Sequence, residues 1–180
     1  MKRINLILII VVLFGLAMYV RLTDHPANFT PLAAIALFAG MYLPKKWAVI
    51  LPISILFLSD LFLGFYDWKL ALVVYSCFIL VGVVGILVRK RKNVLNILSA
   101  TLGVSLIFFM ATNFAVWSFS SWYPHTLEGL ILNYTLAIPF FRNTLLSNLF
   151  FVGVLFGAYE LVRLKLPQVN KINELTSRNK

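Results

Sequence analysis

Asp60 lies inside "FLSDLFLGF", Arg142 inside "AIPFFRNTLLSN", and His25 and Asn28 inside "RLTDHPANFTPLAAIALFAG". His25 and Asn28 fall in a polar loop between two apolar segments, whereas the carboxylate of Asp60 and the guanidinium of Arg142 are set in strongly apolar surroundings. Such groups are costly there unless they pair or face a wet cavity. As a set they could recognise a small polar solute, with Asp60 and Arg142 supplying charge and His25 and Asn28 supplying directed hydrogen bonds. The competing reading is structural. Asp60 could pair with Arg142 or Arg21 at a helix end, Arg142 could snorkel to headgroups, and the loop residues could simply cap a helix. Pro26 stiffens the loop after His25. Thr30 reads as an N-cap with Pro31 at the first helical position. The loop is therefore expected to be rigid, a lid presenting Asp24, His25 and Asn28 over the mouth of a bundle. "NFT" at 28–30 matches a glycosylation sequon, a weak signal by itself.

Further candidates surround this set. Asn113 in "ATNFAVWSFSSWYPH" is an amide within an apolar helix, suited to bonding another helix or a ligand. Trp117, Trp122 and Tyr123 fit an aromatic belt or a stacking surface. Asn143, beside Arg142, or Thr144 could cap a final helix, placing a positive helix end near the same site. Cys77 reads as a small apolar filler or a soft metal ligand. Ala33, Ala36 and Gly40 share one helical face, suited to close packing in the bundle or to docking of a membrane partner. There is no HExxH, GxSxG, Walker A or CxxC pattern, so no known enzyme signature is present. An unlisted acid–base site built from His25, Asp60 or His125 is the enzymatic alternative. A ligand-free structural subunit is another.

The elements that must position these residues follow from composition. Of 180 residues, 61% are hydrophobic and 12% charged. A soluble domain carries about 25% charged residues, so the chain reads as an all-α integral membrane protein. The net charge of +10 does not imply nucleic acid, because the basic residues flank apolar spans as membrane topology requires. One cysteine allows no internal disulfide. Ile4–Val20 is long for a signal core and lacks a small-x-small cleavage site, so it reads as a retained anchor.

Ile4–Val20, Trp47–Phe65, Leu70–Val88, Val94–Phe119 and Thr144–Val162 can each cross a core of about 30 Å. Pro31–Leu43 and Leu130–Phe141 are shorter and ambiguous. If Pro31–Leu43 spans and Leu130–Phe141 does not, all 16 basic residues except Arg21, Lys69 and Arg142 fall on one side. Letting both span, or neither, weakens or reverses that bias. The positive-inside rule thus predicts six transmembrane helices with both termini in the cytoplasm, and a short apolar interfacial or re-entrant segment before helix six. Residues 1–164 form the membrane domain and 165–180 a polar cytoplasmic tail. Both histidines, and Asp24, Asp60, Asp67 and Glu128, then fall on the outer side.

"HPANFTPLAAIALFAG", "LSDLFLGF", "ATNFAVW" and "AIPFFRNTLLSNLFF" resemble an uncharacterised bacterial family labelled as transport proteins, over about Arg21 to Gly157. That family is similar to the substrate-binding S components of energy-coupling factor (ECF) vitamin transporters. The resemblance implies a six-helix protein of the bacterial inner membrane. It implies an outward pocket roofed by the first loop, and docking of an early helix to a membrane coupling subunit driven by ATPases. Ala33, Ala36 and Gly40, or Gly15 and Ala17, would be the docking face. The solitary cobalamin branch is similar in using a histidine, aspartate, cysteine and arginine in this order, which would make His25, Asp60, Cys77 and Arg142 the counterparts and Cys77 a corrinoid ligand. The expected function is uptake of a small organic micronutrient by a non-enzymatic binding protein with no cofactor or metal of its own. His25, Asn28, Asp60, Asn113, Trp117, Arg142 and Asn143 would contact the solute.

Overall fold

In the computed structural model, backbone is described for residues 3–178 and side chains for residues 5–163. Six helices follow in order: α1 Arg3–Leu22, α2 Leu32–Tyr42, α3 Trp47–Leu63, α4 Trp68–Val88, α5 Val94–Phe119 and α6 Leu127–Arg178. No strand occurs among the described residues. Among the described residues, four helical segments are long and apolar enough to cross a membrane: Asn5–Leu22, Trp68–Val88, Val94–Phe119 and Leu127–Arg163. The chain thus has the make-up of a multi-pass membrane protein, and its outward surface suits lipid. Phe57, Leu61, Phe62, Leu72, Leu87, Leu106 and Phe150 are all exposed.

The centre of the bundle is α2. It has 11 residues, about 16 Å of helix and too short to cross a bilayer unaided. Residues Leu32 and Ala34–Met41 are all buried, enclosed by α3, α4 and α6. The small residues explain how α4 comes so near. A Cβ added to Gly40 would collide with the backbone of Gly82 and Gly85, and one added to Gly82 would collide with the carbonyl of Ala48. Pro52 lies within α3 and has no N–H to give the carbonyl four residues back, which is that of Ala48. The freed carbonyl faces Gly82, where only a glycine leaves room.

The other end of α2 is secured by a basic residue. Arg89 donates from Nε to the Gly40 carbonyl at 3.0 Å and from Nη2 to the Leu43 carbonyl, satisfying the orphan acceptors of a helix C-terminus. Tyr42 donates to Glu160 of α6 at 2.7 Å, and Lys92 lies 4.2 Å from the centre of the Tyr42 ring. Arg89 is therefore structural as well as a topology signal.

Three expectations are corrected. Leu130–Phe141 is not a separate interfacial segment; it is continuous with the final helix in α6. The helix start expected at Asn143 or Thr144 is absent for the same reason. Thr30 does not cap α2: Pro31 occupies the N-cap position and no side chain caps that end. The polar tail at 165–180 falls beyond the described side chains.

Candidate functional site

A cavity of about 290 Å³ lies between the loop after α1 and the ends of the helices beneath it. Its polar lining is Arg21, His25, Asn28, Thr30, Tyr66, Thr144 and Asn148, and its apolar wall includes Leu56, Val74, Phe78, Val81, Val104 and Phe108.

Arg21 comes from the last turn of α1, where a cation suits the helix dipole. Its Nη2 donates to Asp60 Oδ1 at 2.8 Å and its Nε to Ser59 Oγ at 2.6 Å. Ser59 passes its own proton to the Ile55 carbonyl at 2.7 Å. The other Asp60 oxygen accepts from Tyr75 at 3.0 Å. The carboxylate is buried and paired, as a charge in an apolar bundle must be. Two of the five guanidinium N–H groups are used in these bonds, and Arg21 still lines the cavity.

The opposite wall comes from α6. Thr144 and Asn148 lie one turn apart and both reach the cavity. Ser105 donates to the Thr101 carbonyl at 2.7 Å, so its oxygen is left to accept from Asn148 Nδ2, at 2.8 Å. That chain fixes the amide: its NH2 is turned to Ser105 and its carbonyl oxygen away.

The roof is docked to α6. Asn143 donates to the Ala27 carbonyl at 3.0 Å and Ser147 to the Thr30 carbonyl at 2.7 Å. Phe29 packs on Phe151 with ring centres 5.8 Å apart. Asn28 takes a positive φ of 63°, a backbone state that asparagine tolerates better than most residues. The His25 ring is 2.7 Å from the Thr23 carbonyl through Nδ1. A carbonyl can only accept, so Nδ1 carries the proton. Tyr66, between α3 and α4, completes the rim. Burial, helped by the charge of Asp60 and opposed by Arg21, pushes its hydroxyl up to about 12.

A family of unknown function, DUF6580, matches residues 1–169. The chain belongs to that family. No curated protein and no solved structure matches it.

In this DUF6580 member the expected site residues divide sharply. His25 and Asn28 line the cavity, and Asp60 sits just behind it as the anchor of Arg21. Arg142 does not: it is exposed on the face of α6 that carries Ile138 and Leu146, also exposed. A continuous helix sets that outcome, because Thr144 and Asn148 point inward and Arg142 is turned away from them. Asn143 holds the roof from outside the cavity. The Asn113 side chain donates to the Phe109 carbonyl of its own helix at 2.8 Å, and the Asn113 backbone carbonyl accepts from the Asn133 side chain at 2.8 Å. It joins α5 to α6. Trp117 donates to the Pro124 carbonyl at 2.9 Å and stacks edge-on against His125, bracing the α5–α6 loop.

Cys77 is buried in α4 and is not among the cavity-lining residues. Among the described residues, His25, Asp60 and Cys77 form no cluster that could hold a metal ion, and Arg142 lies apart on an exposed face of α6. The small residues Ala33, Ala36 and Gly40, expected to form a docking face, lie on the inside of the bundle. Ala36 and Gly40 are buried in the bundle, and Ala33 lines the cavity. Sequence reading underweighted Arg21 and missed Tyr66, Thr144 and Asn148. Asn148 carried the same signal as Asn113, an amide in an apolar helix.

Proposed function

We propose that the chain is a membrane-embedded binding protein for uptake of a small organic micronutrient. The observation that carries this reading is the roofed cavity: an apolar-walled hollow of about 290 Å³ with Arg21, Asn148 and the loop residues His25 and Asn28 on its lining. A mainly apolar pocket with a few convergent polar groups is the usual form of a small-molecule site. The six helices form a bundle with the basic residues of the α4–α5 loop at one end and the cavity at the other. The positive-inside rule then puts the cavity on the outer side and both termini in the cytoplasm of the bacterial inner membrane.

The volume suits a solute the size of a simple vitamin. No ATP-binding motif occurs in the chain. Energy would come from a separate membrane coupling subunit with ATPases, as the resemblance to ECF S components implies, engaging a face other than α2. Release would require the roof to leave α6, breaking the Asn143 and Ser147 bonds.

Native mass spectrometry of the purified protein tests the reading. A small molecule should co-purify with the wild type and be lost from Asn148→Leu with helix content unchanged. Retention of that molecule in the variant, or no small molecule bound under any loading condition, would sink the proposal.

A further inference from the structure

The lining of the cavity is electrically one-sided. Among the described residues of the lining, Arg21 is the one arginine or lysine, and there is no carboxylate. Asp60 neutralises Arg21 from behind, through Nη2, while the guanidinium keeps N–H donors that the Asp60 and Ser59 bonds leave unused. A second positive element lies nearby. Thr30 and Ala33, at the start of α2, both line the cavity, and that helix end has no side-chain cap. The first N–H groups of a helix are orphan donors that favour negative charge. Discontinuous or short helices in membrane transport proteins use such ends to hold anionic groups.

Asn148 is an independent pointer to a ligand. It is 4% exposed and lines the cavity. Its NH2 is committed to Ser105, whose own proton is committed to Thr101. The carbonyl oxygen accepts no hydrogen bond from any described residue, and Asn148 borders the hollow. An acceptor left free in the wall of a cavity can take a donor from a bound molecule. Between the two polar poles run Val74, Phe78, Val81, Val104 and Phe108.

We propose that the solute is a small organic acid: a carboxylate held by Arg21 and the start of α2, an apolar body against the α4–α5 wall, and an N–H or O–H group donating to Asn148. This rests on the binding-protein reading and narrows it. Arg21 would be shared between Asp60 and the solute carboxylate, a bridged arrangement that a guanidinium with five donors can support.

Indole-3-acetate has all three features and serves as the probe. Its amide removes the charge, and 1-methylindole-3-acetate removes the donor. Titration of the protein in phosphatidylcholine nanodiscs should show the acid binding about tenfold or more tightly than either analogue, the value of one charge-assisted or one buried hydrogen bond. Arg21→Gln combined with Asp60→Asn keeps a neutral hydrogen-bonding pair and should abolish the preference for acid over amide. Asn148→Leu should abolish the preference for the N–H compound alone. Equal binding of acid and amide, or no binding of either, overturns the proposal. So does native mass spectrometry that finds a neutral molecule or a phospholipid in the cavity. A neutral small molecule would leave the binding-protein reading standing; an empty cavity would remove both.

Discussion

Arg21 and Asp60, 39 positions apart in sequence, meet at 2.8 Å where the last turn of α1 crosses α3. Asp60 is 2% exposed, and Tyr75 of α4 donates to its second oxygen. One carboxylate therefore ties three helices together directly behind the cavity. Asp60→Asn leaves a largely buried guanidinium without its counter-charge and is expected to destabilise the fold by about 1–3 kcal/mol, below the full buried-pair penalty because Arg21 keeps some contact with solvent. Adding Arg21→Gln should recover part of that loss. Unfolding of the single and double variants in detergent, compared as a thermodynamic cycle, checks both statements.

Gly82→Ala should be among the most damaging substitutions of a small residue. The new methyl meets backbone at Ala48, not a side chain that can swing aside. Overpacking of this kind costs about 1–3 kcal/mol. Gly153→Ala is the control, because nothing stands within 4 Å of a Cβ there; its melting temperature should match the wild type.

The roof should respond to backbone conformation. Asn28 holds φ at 63°, so Asn28→Gly is expected to leave fold stability unchanged, whereas Asn28→Val should cost about 1–2 kcal/mol. The loss should appear as faster proteolysis of the loop and faster solute release, with the helix content unchanged.

Arg142→Gln and Trp117→Phe should leave solute affinity within twofold of wild type, about 0.4 kcal/mol, because neither residue lines the cavity. Asn143→Ala should instead speed release, since its amide pins the roof at Ala27. Dissociation rates of a bound probe distinguish the two classes, and a tenfold loss in Arg142→Gln would contradict the site as described.

Tyr66 sets a limit at high pH. Its ordinary value is 10.0, and in the fold it is pushed up to about 12 by burial and then by Asp60. The neutral hydroxyl is thus favoured by the folded state. Tyr66 is 40% exposed, so solvent screening keeps its contribution small; it is intact below pH 10 and is lost as pH rises from 10 towards 12. A tyrosinate absorbance titration should lose one late-ionising group in Tyr66→Phe, and that variant should show a shallower loss of stability across the same interval.

The helix boundaries were largely legible from the sequence, because apolar runs bounded by Pro, Gly and charged clusters leave few alternatives; Val94–Phe119 has the same limits in both readings. Continuity was not legible. Pro139 and the Arg142–Asn143 pair look like a break, yet α6 runs through them. Every expectation placed on that false helix start failed with it, including the position of Arg142. Asp60 was recognisable as a costly charge, but its partner depended on which helix end lay beside it, and charge alone could not choose between Arg21 and Arg142. That the Asn148 oxygen is left without a partner was beyond reach of the sequence, since it follows from two successive proton commitments on neighbouring helices.

The brevity of α2 also bears on how the protein is made. A segment of 11 residues offers too little apolar length to leave the translocation machinery alone. Its carbonyls near Leu43 stay unsatisfied until Arg89 has been synthesised. Insertion should therefore be delayed and collective, with the nascent chain holding this piece at the channel until α3 and α4 arrive to escort it into lipid.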